Sequence, residues 1–364
     1  MANKPLKAGI IGCGGIANFK HMPSIIKTGM VEMTAFCDIH PKRAQEAAEK
    51  FGDSDAIVCE DYKDLLTDES IDLVYVLTPN KSHSFITIDA LEAGKHVMCE
   101  KPMAKTSKEA REMVKAAERT GKALTVAYQN RYSPESIYIK EAVERGDLGD
   151  IYFAKAHALR RRAVPTWGVF LDEEEQGGGP LIDIGTHALD LTLWFMNNYK
   201  PKSVMGNVYK KLNGNGICGN IFGDWDPSEF TVEDSAFGFI TMENGATIVL
   251  ESSWALNILD YGEAKATICG TKGGADMWSG VRINGDDMGR LYEKKPTLTD
   301  GEVPFYQGIS TDANVLEQLT FINAVTKGTP LVVQPSQACV VTEILEAIYE
   351  SAAGGKLVTF PRTD

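Results

Sequence analysis

The chain has 364 residues, 43% of them apolar and 24% charged, with a net charge of −13 at neutral pH. That length and apolar content suit two globular domains with cores of their own and argue against disorder. The acidic balance speaks against a nucleic-acid or anionic-membrane partner, which would call for clustered Lys and Arg, and favours a small neutral or modestly charged ligand.

Seven scattered cysteines (Cys13, Cys37, Cys59, Cys99, Cys218, Cys269 and Cys339) form no C-x-x-C pair, so they read as reduced core thiols and no metal is expected. Met1-Ala2-Asn3-Lys4-Pro5 leads straight into an apolar run without a leader-like stretch, and no run approaches a membrane span. A cytoplasmic protein is expected.

Lys7 to Ile11 reads as a strand ending at Gly12-Cys13-Gly14-Gly15-Ile16-Ala17, with a helix continuing through Ile26 and interrupted near Pro23. This is a dinucleotide fingerprint: Gly12 permits the tight turn, Gly14 lets backbone amides approach a pyrophosphate, and Ala17 keeps helix and strand close. A second strand, Glu32 to Cys37, ends at Asp38, about twenty residues past the fingerprint, where a carboxylate meets the adenosine ribose hydroxyls. A carboxylate there repels a 2′-phosphate, which puts NAD ahead of NADP. Asp38 also reads as a cap for the helix opening at Pro41, and the two roles are compatible.

Strand-like runs at Ile71–Leu77, Val97–Cys99 and Ala123–Tyr128 alternate with helical patterns at His83–Ala93 and Ser107–Arg119. Strand alternating with helix predicts an α/β Rossmann domain, a doubly wound parallel sheet, over residues 1–128. After Tyr128 a helix near Ser136–Glu144 precedes strand-like runs at Ile151–Leu159, Phe237–Met242, Ala246–Trp254 and Ala264–Cys269. Residues 129–364 therefore read as an α+β domain with an open, mostly antiparallel sheet. Helices at about Asp183–Met196, Asn314–Thr326 and Gln334–Ala353 should cover one face. The free face invites a homodimer or homotetramer. Segments 172–179 and 213–227 read as loops.

Glu100-Lys101-Pro102 follows a strand, at the carboxyl end where open α/β sheets bind ligands. Pro102 fixes the backbone and is a candidate cis residue. Lys101 can donate to a substrate hydroxyl oxygen and stabilise alkoxide character during hydride transfer. If Asp183 opens a helix, Asp183 and His187 share a face, where Asp183 orients a hydroxyl and His187 handles its proton. Taken alone, the same segment reads as an amphipathic helix capped by Asp183, with His187 a satisfied polar residue.

These motifs, together with Thr78-Pro79-Asn80-Lys81-Ser82-His83 and Gly177-Gly178-Gly179-Pro180-Leu181-Ile182-Asp183-Ile184-Gly185-Thr186-His187, resemble the Gfo/Idh/MocA oxidoreductases in order and spacing along the whole chain. The resemblance implies that Gly12, Gly14, Gly15, Ile16, Ala17, Asp38, Thr78, Pro79, Asn80, His83, Glu100 and Lys101 serve the cofactor, with Glu100 at the nicotinamide ribose. It implies Lys101, Asp183 and His187 as the catalytic lysine, aspartate and histidine. It further implies NAD(P)-dependent oxidation of a hydroxyl of a sugar, inositol or polyol. The chain departs from glucose-fructose oxidoreductase in lacking the export signal and N-terminal arm. It also has Asp38 where NADP-preferring members carry a small residue and an arginine.

Three residues are candidates for choosing the substrate. Arg131 follows the last Rossmann strand and reads equally as a salt-bridge residue; Arg161 and Trp167 lie in a basic, aromatic loop before the glycine run, able to bind hydroxyls and stack on a sugar face. Besides a dehydrogenase, two other readings fit this architecture: an NAD-assisted glycosidase and a redox-silent NAD-binding regulator.

Overall fold

The computed structural model describes residues 4–214, 219–298 and 312–362. They form two compact units: residues 4–129 with 312–339, and the described residues of 130–298 with 340–362. Cys218 and part of the loop expected at 213–227 lie outside the described residues.

In the first unit six parallel strands, β1 (Leu6–Ile11), β2 (Val31–Cys37), β3 (Ile57–Cys59), β4 (Leu73–Val76), β5 (His96–Cys99) and β6 (Leu124–Val126), lie in the order β3-β2-β1-β4-β5-β6. This is the doubly wound sheet expected from the sequence. All four residues of the central strand β4, Leu73-Val74-Tyr75-Val76, are buried, as in a strand covered on both faces. Strand order reverses between β1 and β4, the switch point at which such sheets open a crevice beyond their carboxyl ends.

The helix after the fingerprint absorbs Pro23, which has no N–H to offer, through a wider turn. A π-helical turn at Ala17–His21, closed by the Met22 N–H on the Ala17 carbonyl, leads into the α-helix Met22–Thr28. Such turns concentrate at functional sites. The helix Ser107–Thr120 opens on a reciprocal capping box between Thr106 and Glu109.

One boundary differs from the sequence reading. The helix Ala313–Lys327, expected in the second domain, belongs to the first unit. Its Phe321 and Ile322 share a core with Ile10, Phe36 and Tyr75, and the Phe321 ring meets Tyr75 edge-on at 6.2 Å. The first compact unit therefore includes a helix from outside residues 1–128. Helical periodicity shows that a helix has a buried face, not which core receives it.

The second unit is a nine-stranded sheet. Its strands are β7 (Ile151–Leu159), β8 (Pro201–Tyr209), β9 (Ser235–Met242), β10 (Thr247–Ser253), β11 (Gly262–Gly270), β12 (Gly273–Asp276), β13 (Arg282–Asp287), β14 (Arg290–Lys294) and β15 (Val358–Thr359), ordered β14-β13-β12-β11-β7-β10-β9-β8-β15. Among the described residues of this sheet, only β7 and β10 pair as parallel strands. The helix Thr186–Met196, buried almost throughout, packs on β7 and β11. On the opposite face of the sheet Met205, Tyr209 and Phe239 stay 39%, 38% and 52% exposed, as the open-face expectation requires.

Candidate active site

The first unit assembles the fingerprint around the switch point. Gly12 has φ +93°, and a Cβ there would sit 2.7 Å from the backbone carbon and oxygen of Leu77. No side chain fits where the ends of β1 and β4 converge. Gly14 is the opposite case, since a Cβ there would meet nothing within 4 Å. Its backbone faces open space that a ligand can enter.

Asp38 is buried at the end of β2, where its carboxylate accepts from the Cys13 N–H at 2.9 Å and the His40 N–H at 2.8 Å. It therefore ties the fingerprint to the second strand. It is not the cap of the next helix: the N-cap of Pro41–Phe51 is His40, without a side-chain cap bond.

After β4, Asn80 is buried in a short 3-10 turn, Asn80–Ser82, and Pro79 is exposed beside it. His83, expected to line the crevice, is 0% exposed. Its Nε2 and Nδ1 lie 2.8 Å from the Thr78 and Pro102 carbonyls. Burial pushes the imidazole below its ordinary range against the pull of those carbonyls. His83 thus supports Thr78 and Pro102 from behind instead of facing a ligand.

The Lys101-Pro102 bond is cis. Glu100, just before it, is buried, and both its oxygens are engaged within the unit. Oε1 accepts from Lys20 Nζ at 3.1 Å and lies 2.7 Å from His21 Nε2, while Oε2 accepts from the Lys101 N–H at 2.9 Å. Burial alone would raise this carboxyl, but the Lys20 charge and the His21 bond outweigh it and hold it well below the usual carboxylate range. Glu100, implied at the nicotinamide ribose, is thus also an anchor within the unit.

In the second unit Asp183 does not open its helix. It sits inside another π-helical turn, Leu181–Gly185, which runs into Thr186–Met196 and carries His187. Its Oδ2 accepts from the Trp254 indole N–H at 3.0 Å. Below this turn Glu233, 3% exposed, accepts from the Gly179 N–H at 2.8 Å, the Leu181 N–H at 3.1 Å and the Tyr349 hydroxyl at 2.8 Å. Burial raises the Glu233 carboxyl, and these three donors oppose the rise. Trp254 and Glu233 escaped the sequence reading because neither belongs to a motif. The apolar run ending at Trp254 marks a strand but does not say that its indole meets Asp183.

Of the substrate candidates, Arg131 is a correction. Its guanidinium is buried and forked onto Asp190 at 2.9 and 2.6 Å, with Tyr199 Oη at 3.2 Å. That bidentate pair is the salt-bridge role, not a substrate contact. Arg161 is exposed. Trp167, 52% exposed, meets Phe222 edge-on at 4.8 Å and Phe170 at 5.9 Å, and Phe170 in turn lies 6.5 Å from Trp254. An aromatic row thus connects the loop to the indole that holds Asp183.

Residues 6–128 match the model of the oxidoreductase family with NAD-binding Rossmann fold, and residues 137–276 match the GFO/IDH/MocA C-terminal domain. The chain belongs to the Gfo/Idh/MocA oxidoreductase family. This Gfo/Idh/MocA protein is 38% identical to a D-glucoside 3-dehydrogenase of Escherichia coli (strain K12) over 98% of both chains. It is 29% identical to an inositol 2-dehydrogenase of Salmonella typhimurium over 55% of this chain and 57% of that one. Its fold superposes on a levoglucosan dehydrogenase solved with NADH and levoglucosan, with a TM-score of 0.82 at 23% identity, covering 99% of this chain and all of that one.

As a member of this family the chain is an NAD(P)-dependent oxidoreductase acting on CH–OH groups, with NAD as its cofactor. Its residues fit that cofactor. The open cradle at Gly14 admits a pyrophosphate to the backbone, and the buried Asp38 carboxylate stands where the adenosine ribose is read. No helix among the described residues is long and apolar enough to cross a membrane.

Proposed function

We propose that this enzyme oxidises a secondary ring hydroxyl of a glucoside, at carbon 3, with NAD. The observation that carries the proposal is the full-length similarity to the D-glucoside 3-dehydrogenase. When bound, NAD supplies the hydride acceptor. Lys101 donates to the reacting hydroxyl oxygen and stabilises its alkoxide character. His187 takes the hydroxyl proton as neutral imidazole and returns it as imidazolium in the reverse direction. Asp183, held by the Trp254 indole N–H, orients the hydroxyl. Gly12, Gly14, Gly15, Ile16, Ala17, Asp38, Thr78, Pro79 and Asn80 hold the cofactor. Trp167 and Arg161 bear on the sugar ring and its substituents.

The open face bearing Met205, Tyr209 and Phe239 supports a homo-oligomer built through it. Phe239→Glu should dissociate that assembly in light scattering. A reducing, cytoplasmic setting is supported by seven scattered cysteines without a C-x-x-C pair.

The test is NADH formation at 340 nm with methyl D-glucoside, glucose, myo-inositol and levoglucosan, offering NAD and NADP separately. Turnover of the glucoside with NAD, exceeding that of inositol, is expected. Oxidation of inositol alone would overturn the substrate. Glycoside cleavage without net NADH would overturn the reaction.

A further inference from the structure

Three ionisable side chains with no part in the chemistry above surround Glu100 in the first unit. Lys20 Nζ lies 3.1 Å from Glu100 Oε1, 3.1 Å from Gln129 Oε1 and 3.2 Å from Glu317 Oε2. His21 Nε2 reaches the same Glu100 oxygen at 2.7 Å, and its Nδ1 lies 3.3 Å from the Gln318 amide nitrogen. Side-chain exposure is 8% for Lys20, 6% for Glu100, 1% for Glu317 and 0% for His21.

Such a cluster is a poor choice for stability alone. Desolvating the ions offsets most of their attraction, and apolar residues of similar volume generally serve as well or better. Its geometry has a direction, however. Lys20 and His21 take one oxygen of Glu100, and the other oxygen takes the backbone N–H of Lys101. Both partners come from the π-helical turn at Ala17–His21, one turn beyond the fingerprint.

We propose that Lys20 is a positioning residue: it keeps the Glu100 carboxylate ionised and aimed, so that Glu100 fixes the backbone from which Lys101 works. The inference rests on the reading of Lys101 as the catalytic lysine. Among the described residues, the groups facing Glu100 include Lys20 and His21 from the fingerprint helix, Glu317 from Ala313–Lys327, His83 from His83–Glu92, and Cys99 and Lys101 on either side of it in the chain.

Without Lys20, burial and the neighbouring Glu317 both favour a protonated Glu100. A protonated carboxyl accepts more weakly from the Lys101 amide. The anchor would then be lost as pH falls and regained as pH rises.

The experiment compares wild type, Lys20→Met, Lys20→Arg and the double variant Lys20→Met/Glu317→Gln. NADH binding is followed by fluorescence, and kcat and KM by absorbance, from about pH 5 to 9. The double variant removes the carboxylate that Lys20→Met would leave buried without its cation, and so guards against a failure to fold. Wild type should show no titration of Glu100 in this range. Lys20→Met and the double variant should gain a new acid limb, in which NADH affinity and kcat both rise with pH. A loss of about 10-fold or more in kcat is expected at neutral pH, as for a hydrogen bond to a charged group, and Lys20→Arg should recover most of it. A pH-independent loss that Lys20→Arg does not recover would overturn the proposal, as would profiles unchanged from wild type. Because NADH binding needs no turnover, failure to oxidise any glucoside would refute the substrate while leaving the Lys20 test intact.

Discussion

The two units hold their polar machinery by opposite means. In the first, the Lys101 turn rests on charge: Glu100 is ionised between Lys20 and His21 and grips the Lys101 amide. In the second, the Asp183 turn rests on the Trp254 indole N–H, on aromatic packing around Trp254, and on a buried Glu233 that burial drives toward its neutral form. Lys20 and His21 come from one π-helical turn and Asp183 sits in another, so the same local distortion accompanies an ion cluster in one unit and dipoles and rings in the other. A charge anchor is strong and sensitive to proton uptake, whereas an anchor of dipoles and rings is tuned by shape.

The comparison predicts a ranking. Lys101→Ala removes the donor to the reacting oxygen but keeps the backbone N–H that Glu100 grips, so kcat should fall by about 100- to 1000-fold, as for loss of an electrostatic donor to the developing charge. Melting temperature should barely change, as calorimetry would show.

Glu233→Ala leaves the Gly179 and Leu181 amides and the Tyr349 hydroxyl without their acceptor. The expected cost is about 2–4 kcal/mol in denaturant unfolding, within the range for buried groups left unsatisfied. Trp254→Phe keeps a ring but deletes the donor on Asp183, so kcat/KM should drop by about 10-fold, equivalent to roughly 1.4 kcal/mol.

The smallest effect is the most discriminating, because the two carboxyls have opposite signs. Glu100 is depressed in the native state, so it contributes stability above the ordinary carboxyl value of 4.5 that is lost as pH falls. Glu233 is raised, so its contribution is fully present below that value and is lost as pH rises through its native pKa. The melting-temperature gap between wild type and Glu100→Gln should therefore narrow on acidification, while that for Glu233→Gln widens. Parallel trends would break the contrast between the units.

Much of this architecture was legible in the sequence because its signals are local. The turn Gly12 to Ala17 is recognisable from six consecutive residues, and Asp38 ends a strand whose apolar run is plain. What escaped was long-range. Glu317 lies 297 positions from Lys20 in the chain yet meets it in one buried cluster, and nothing in a helical pattern states which sheet Phe321 covers. The strand β8 escaped for a different reason: Pro201, Gly206 and Asn207 are poor strand formers, and only pairing with β9 overrides them. Arg131 looked equally like a ligand or a salt bridge until Asp190 was placed against it.

The most direct test of glucoside oxidation at carbon 3 is the fate of the hydrogen on that carbon. Methyl D-glucoside deuterated at carbon 3 would be turned over with NAD, and the reduced nicotinamide analysed by mass spectrometry and NMR. Deuterium carried into the reduced cofactor, together with a 3-keto product, is the predicted result. Reduced cofactor without deuterium would place the reaction at another carbon and contradict the account.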